Sequence, residues 1–289
     1  MENKIYPKIK NVVFLCLLFL GLQLVLGFLS GLLLVKMNLP GDSVVSGIIL
    51  IFINLAAFGI VLFIGFRKTR RNFFEVFKLR GVSAFLWISV IIFTPGFIIV
   101  ISELDNLLNF LLPMPELFND IFDSMIAGHT LIIAVIYIGI VPAFAEEFFF
   151  RGLILDGFTR NYSERKAIIV SALFFGLVHL NPWQFLSAFL MGLAASWICI
   201  KTRSIWLCVY IHFFNNTLYT ITVRYENFIP IKGFNSNFVE PGVFQPLWFT
   251  LSGFALMAAG TFMLLKGTNI LPMPLFPMKR RYAIFQERR

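Results

Sequence analysis

Two adjacent glutamates, Glu146 and Glu147, stand in the stretch AEEFFFRG, at the end of the apolar run TLIIAVIYIGIVPAF. An ionisable group at the centre of a membrane-spanning helix costs about 2.5–3.5 kcal/mol on insertion scales, so such groups face a partner or a cavity. Glu147 and Arg151 are four residues apart and share a helix face, which suits an ion pair that makes the arginine tolerable. Glu146 points about 100° away around the helix and has phenylalanine, not a base, at its own i+4 position. It is the carboxylate left over for proton transfer.

Other polar groups stand in apolar surroundings further along. His179 closes the sequence FFGLVH, with Phe175 four residues earlier on the same face. His212 and Asn216 are four apart within HFFNN and project together, with Asn215 beside them. One such histidine reads as a core residue bonded to a carbonyl. A glutamate, two histidines and an amide on three separate segments can supply one another with partners. No serine or cysteine is paired with a base, which leaves water as the nucleophile. A glutamate helped by a histidine can take its proton. A second histidine and an amide can donate to the oxyanion of a tetrahedral intermediate. The same set could instead bind zinc through two histidines and a glutamate, although the H-E-x-x-H signature is absent. His129, at a loop edge, is given no chemical role.

The elements that must position these groups are membrane helices. Of 289 residues, 58% are hydrophobic and 13% charged, against roughly 45–50% and roughly 25% in soluble proteins. The fold class expected is all-α, a polytopic membrane bundle of about eight transmembrane helices: 11–35, 43–66, 83–103, 130–150, 165–180, 183–200, 204–224 and 247–266. The run 11–35 exceeds a signal-peptide apolar core and reads as a retained span. Asn181-Pro182 separates the fifth and sixth spans. Cys16, Cys199 and Cys208 lie in apolar runs and read as buried small hydrophobes. The whole chain, 1–289, reads as one membrane-embedded domain, with 130–220 as its motif-bearing core.

Charge sets an orientation. Net charge is +9, and the basic residues fall in alternate loops: Lys4, Lys8 and Lys10; Arg67 to Arg80; Arg160, Arg165 and Lys166; Lys201 and Arg203; and the tail KRRYAIFQERR. The positive-inside rule then puts both termini in the cytoplasm and removes any need for a nucleic-acid partner. Residues 104–126, with Asp105, Glu116, Asp120 and Asp123 and no Lys or Arg, read as an outer segment of two short amphipathic helices parted by Pro113 and Pro115. Ala188, Gly192 and Ser196, and Gly27 with Gly31, are spaced for close helix approach.

The motifs Glu-Glu-x-x-x-Arg (Glu146, Glu147, Arg151), Phe-x-x-x-His (Phe175, His179) and His-x-x-x-Asn (His212, Asn216) together resemble the CAAX prenyl endopeptidase and bacteriocin-processing family, also called Abi or CPBP proteins. The resemblance covers about 130–220 and implies an intramembrane glutamic endopeptidase. By that resemblance Glu146 and His179 activate water, His212 and Asn216 form the oxyanion hole, and Glu147 and Arg151 support the site. It implies a peptide or membrane-protein substrate, lipidated or not, and no cofactor, with zinc the alternative. Two other readings are a non-catalytic scaffold or immunity protein of the same family and a proton-coupled transporter.

The span boundaries carry one conflict. At 1.5 Å per residue, Glu146 lies ~24 Å along span four from its outer start, and His179 ~20 Å along span five from its inner start. As vertical cylinders they miss by more than ~10 Å. Tilted spans, or a fifth span beginning below the inner surface, would close the gap.

Overall fold

A computed structural model describes residues 5–41, 43–118, 126, 128–225, 228–234 and 242–268. The described residues form helices α1 (Ile9–Lys36), α2 (Val44–Thr69), the single turn α3 (Phe73–Val76), α4 (Ala84–Leu111), α5 (Leu131–Asn161), α6 (Glu164–Leu177), α7 (Pro182–Thr202), α8 (Trp206–Arg224) and α9 (Leu247–Gly267). Every segment expected to span is helical. Six of them, α1, α2, α4, α5, α7 and α9, are long and apolar enough to cross a bilayer by length and composition alone. The chain is therefore a multi-pass membrane protein. The 14 residues of α6 reach only about 21 Å against a hydrocarbon core of about 30 Å. The 19-residue α8 trades apolar residues for His212, Asn215 and Asn216. The two helices that fall short are those carrying the histidine motifs.

Side chains start these helices where the sequence supplies an oxygen. Ser43, Ser83 and Asn181 accept from the backbone N–H of Ser46, Leu86 and Trp183, and Thr130 does so for Ile133. Pro182 occupies the first turn of α7, where its missing N–H costs nothing.

α9 lies along α4, and glycines bring the two backbones together. A Cβ on Gly260 would sit 2.6 Å from backbone atoms of Phe93, and one on Gly96 would sit 2.5 Å from the Met257 nitrogen. Gly192 of α7 similarly meets the Ala172 backbone of α6. Gly192, at the centre of the Ala188, Gly192, Ser196 stripe, is thus a real contact. Gly27 and Gly31 are not: a Cβ on either meets nothing within 4 Å. The spacing rule identified small residues correctly, but only a facing helix turns them into a contact.

The acidic segment 104–126 also differs from expectation. Its first half is not a separate helix, because α4 runs unbroken to Leu111. No proline or glycine interrupts that stretch before Pro113. Asp105 accordingly sits on α4 rather than on a separate outer helix. Asp120 and Asp123 lie outside the described residues, as does the basic C-terminal tail.

One end of the bundle gathers the basic loops. Arg71 pairs with Asp156 at the end of α5 and with Glu75 at 3.3 Å. The Asn161 amide donates to the carbonyls of Ile5 and Pro7. Ser204 donates to the Arg80 carbonyl, and Lys201 pairs with Glu164. The N-terminal segment and the loops after α2, α5 and α7 therefore share one end.

Gly260→Val is expected to lower the thermal midpoint in detergent, by a destabilisation of about 1–3 kcal/mol, because the obstacle is backbone and cannot rotate away. Gly27→Val, with open space around it, is expected to leave the midpoint unchanged in the same scan.

Candidate active site

The glutamates occupy a short α-helical stretch, Val141–Glu147, between two π-helical stretches of α5, Val135–Ile140 and Phe148–Ile154. A π turn bonds i to i+5 and widens the helix, a distortion concentrated at functional sites. The carbonyls of both widened stretches are used. Ile138 O accepts from Asn216 Nδ2 at 2.9 Å, and Arg151 O accepts from Lys78 Nζ at 3.1 Å. No local feature of the sequence marks these π turns.

Glu147 and Arg151 pair at 3.1 Å, and neither side chain is exposed at all. Glu147 has a second partner that spacing could not reveal: His212 Nδ1, 2.9 Å from the same oxygen, Oε1. A carboxylate paired with arginine accepts, so Nδ1 of His212 carries the proton and Nε2 is the ring atom turned to the other glutamate. That nitrogen lies 4.0 Å from Glu146 Oε2. His212 is thus held between the two adjacent carboxylates. Glu146 Oε2 is buried and makes no hydrogen bond among the described residues.

His179 follows the last turn of α6 rather than lying within it. Its Nδ1 is 2.8 Å from Phe175 O. A carbonyl can only accept, so this Nδ1 also carries the proton and the neutral ring keeps its lone pair on Nε2. Phe175 organises the site beyond its place in the motif. Its ring lies edge-on to both His179 and His212, at centroid distances of 5.4 and 5.7 Å, and the Arg151 guanidinium sits 4.2 Å over it.

The axial conflict disappears because α5 does not stop near residue 150. It continues to Asn161, and α6 starts at Glu164 and runs back antiparallel. Glu146 lies fifteen residues before Asn161, and His179 fifteen residues after Glu164. The two stand level across a tight hairpin, and the 5.0 Å approach of Phe150 and Phe175 shows the same register.

Glu146, His179, His212 and Asn216 all line one cavity of about 340 Å³. Asn216 Oδ1 accepts from Asn215 Nδ2 at 3.1 Å, and the Ile138 bond fixes its amide orientation. Glu147 and Arg151 stand behind the cavity wall. The wall also includes residues that the motif pattern missed: Asn54, Ser102, Asp105, Tyr137, Gln184 and Ser187. Each is an ordinary polar residue on an apolar helix, and only packing turns it inward. Among the described residues no three His, Cys, Asp or Glu side chains are drawn together as a metal-binding group.

Arg151→Met should strip the paired positive charge from a buried carboxylate and destabilise the protein by about 3–5 kcal/mol. Adding Glu147→Gln should restore part of that loss, read as a coupling energy in a double-mutant cycle of unfolding in detergent.

Residues 128–218 match the family model for Rce1-like, type II CAAX prenyl endopeptidases. No curated protein and no solved structure matches the chain. The matched residues contain α5 to α8 up to the cavity-lining asparagines, with both glutamates, Arg151 and both histidines. The chain is a multi-pass membrane protein whose residues 128–218 are similar to the Rce1-like, type II CAAX prenyl endopeptidases.

Proposed function

We propose that this protein is an intramembrane endopeptidase that hydrolyses a peptide bond with water activated by Glu146 and His179. The observation that carries the reading is the convergence of Glu146, His179, His212 and Asn216 on one cavity inside an apolar bundle. Its size falls within the range of about 300–1,000 Å³ usual for ligand sites.

In this reading, water in the cavity gives its proton to Glu146, with the free Nε2 of His179 as a second acceptor. The hydroxide adds to the scissile carbonyl. Charge builds on the carbonyl oxygen, and the remaining N–H of the Asn216 amide and the His212 ring stabilise it. His212 donates to the oxyanion from Nε2 when that nitrogen carries a proton, while Nδ1 stays on Glu147. Glu146 then returns its proton to the leaving amine. Glu147 and Arg151 hold His212 and Phe175 in place and touch no substrate. The substrate is a peptide or membrane-protein segment that enters from the bilayer, lipidated or not.

Glu146→Gln is expected to reduce cleavage by about 10²–10⁴-fold, and Asn216→Ala by about 10²–10³-fold, with insertion and thermal midpoint retained. The readout is comparison of membrane peptides from cells carrying the unsubstituted or Glu146→Gln protein, looking for termini that vanish. Full processing by Glu146→Gln would remove the protease reading.

The end of the bundle bearing the N-terminal segment and the loops after α2, α5 and α7 is proposed to face the cytoplasm, supported by its Lys and Arg content. Arg203→Cys should react with a membrane-impermeant thiol reagent only after permeabilisation, and Met37→Cys should react in intact cells.

A further inference from the structure

The cavity is acidic beyond the needs of hydrolysis. Among the described residues its wall holds two carboxylates, Glu146 and Asp105, and no lysine or arginine. Arg151, the nearest buried cation in the site, is spent on Glu147 and is fully enclosed. Asp105 comes from α4, outside the residues matched by the family model.

Two helix faces deliver this second polar centre. On α4, Ile98, Ile101, Ser102 and Asp105 line the cavity at i, i+3, i+4 and i+7; on α7, Gln184, Ser187, Ala188 and Met191 do the same. The apolar members of each face continue into the wall, and the polar members meet at its end. There the Ser187 hydroxyl donates to Asp105 Oδ1. Among the described residues Asp105 has no cationic partner and no second hydrogen bond, so Oδ2 remains an open acceptor on the wall. Gln184 adds a side-chain amide one turn away.

A carboxylate placed on the wall of a low-dielectric cavity, with one oxygen anchored and the other open, favours a positive group and disfavours a negative one. We propose that Asp105, anchored by Ser187, forms a subsite for a lysine or arginine side chain of the peptide substrate. The inference rests on the endopeptidase reading for the nature of the ligand, and it makes Asp105 a specificity residue rather than a catalytic one. The apolar residues of the two faces cover the aliphatic stem of such a side chain while its charged head reaches the carboxylate.

The test uses the full-length Glu146→Gln protein in lipid nanodiscs, which leaves Asp105 as the sole carboxylate among the described wall residues and prevents turnover. The probes are blocked peptides of alanine and leucine carrying lysine, norleucine or glutamate at one position, moved stepwise along the chain. At one position or more, the lysine peptide should bind about tenfold or more tightly than its norleucine counterpart, and the glutamate peptide more weakly than either. Adding Asp105→Asn should abolish the lysine advantage and leave norleucine binding unchanged, which also controls for folding. Adding Asp105→Lys should transfer the advantage to glutamate. Equal affinity for lysine and norleucine at every position, no binding of any lysine peptide, or a lysine preference that survives Asp105→Asn would overturn the proposal. Failure of the endopeptidase reading shows separately, as absence of cleavage of any of these peptides by the protein with Glu146 intact.

Discussion

A carboxylate with no exposure to solvent, inside a bundle built from phenylalanine and aliphatic residues, needs partners for its charge, and Glu147 finds two of them through one oxygen, Oε1. Arg151 meets it from the next turn of the same helix and His212 from α8. Leaving either donor out would bury charge without compensation, so the pairing specifies where α8 stands relative to α5. Phe175 then closes the arrangement from α6, with its face to the guanidinium and its edges to both imidazoles. The ion pair is thus more than a device for tolerating an arginine. It fixes the tautomer and direction of the histidine that faces Glu146.

The geometry of α5 makes this possible. Two π stretches flank the glutamates, and the carbonyls within them serve as anchors for Asn216 and for Lys78. Lys78 reaches in from the loop after α3, with its backbone in the left-handed region at φ +50°. A basic loop residue therefore stabilises the helix that bears the site, beyond any part it has in topology. The α5–α6 hairpin supplies the rest, because its equal arms bring Glu146 and His179 to one level.

The cavity is not the property of the family-matched residues alone. α2 and α4 contribute Asn54, Ile98, Ile101, Ser102 and Asp105, so the glutamate, histidine and asparagine cluster comes from one part of the chain and much of the opposite wall from another. α4 is held there by α9 through glycine contacts that tolerate no side chain. This division lets the wall vary in polarity while the glutamate and histidine cluster stays as it is.

Length and apolarity by themselves decide the helices, because a chain this poor in charge must bury its backbone polar groups in helices within the bilayer. The four-residue spacings Glu147/Arg151, Phe175/His179 and His212/Asn216 were legible for the same kind of reason: helical periodicity puts such pairs on one face. Periodicity is a local rule, and it stops at the end of each helix. It could not show that His212 bonds Glu147 across 65 positions, or that α5 runs on to Asn161. It could not reveal that two π turns interrupt α5, or that Gly27 faces open space while Gly260 faces backbone. Nor could it move Asp105 from an outer amphipathic segment to a cavity wall. Those outcomes depend on which faces meet, and only the packing of helices distant in sequence determines that.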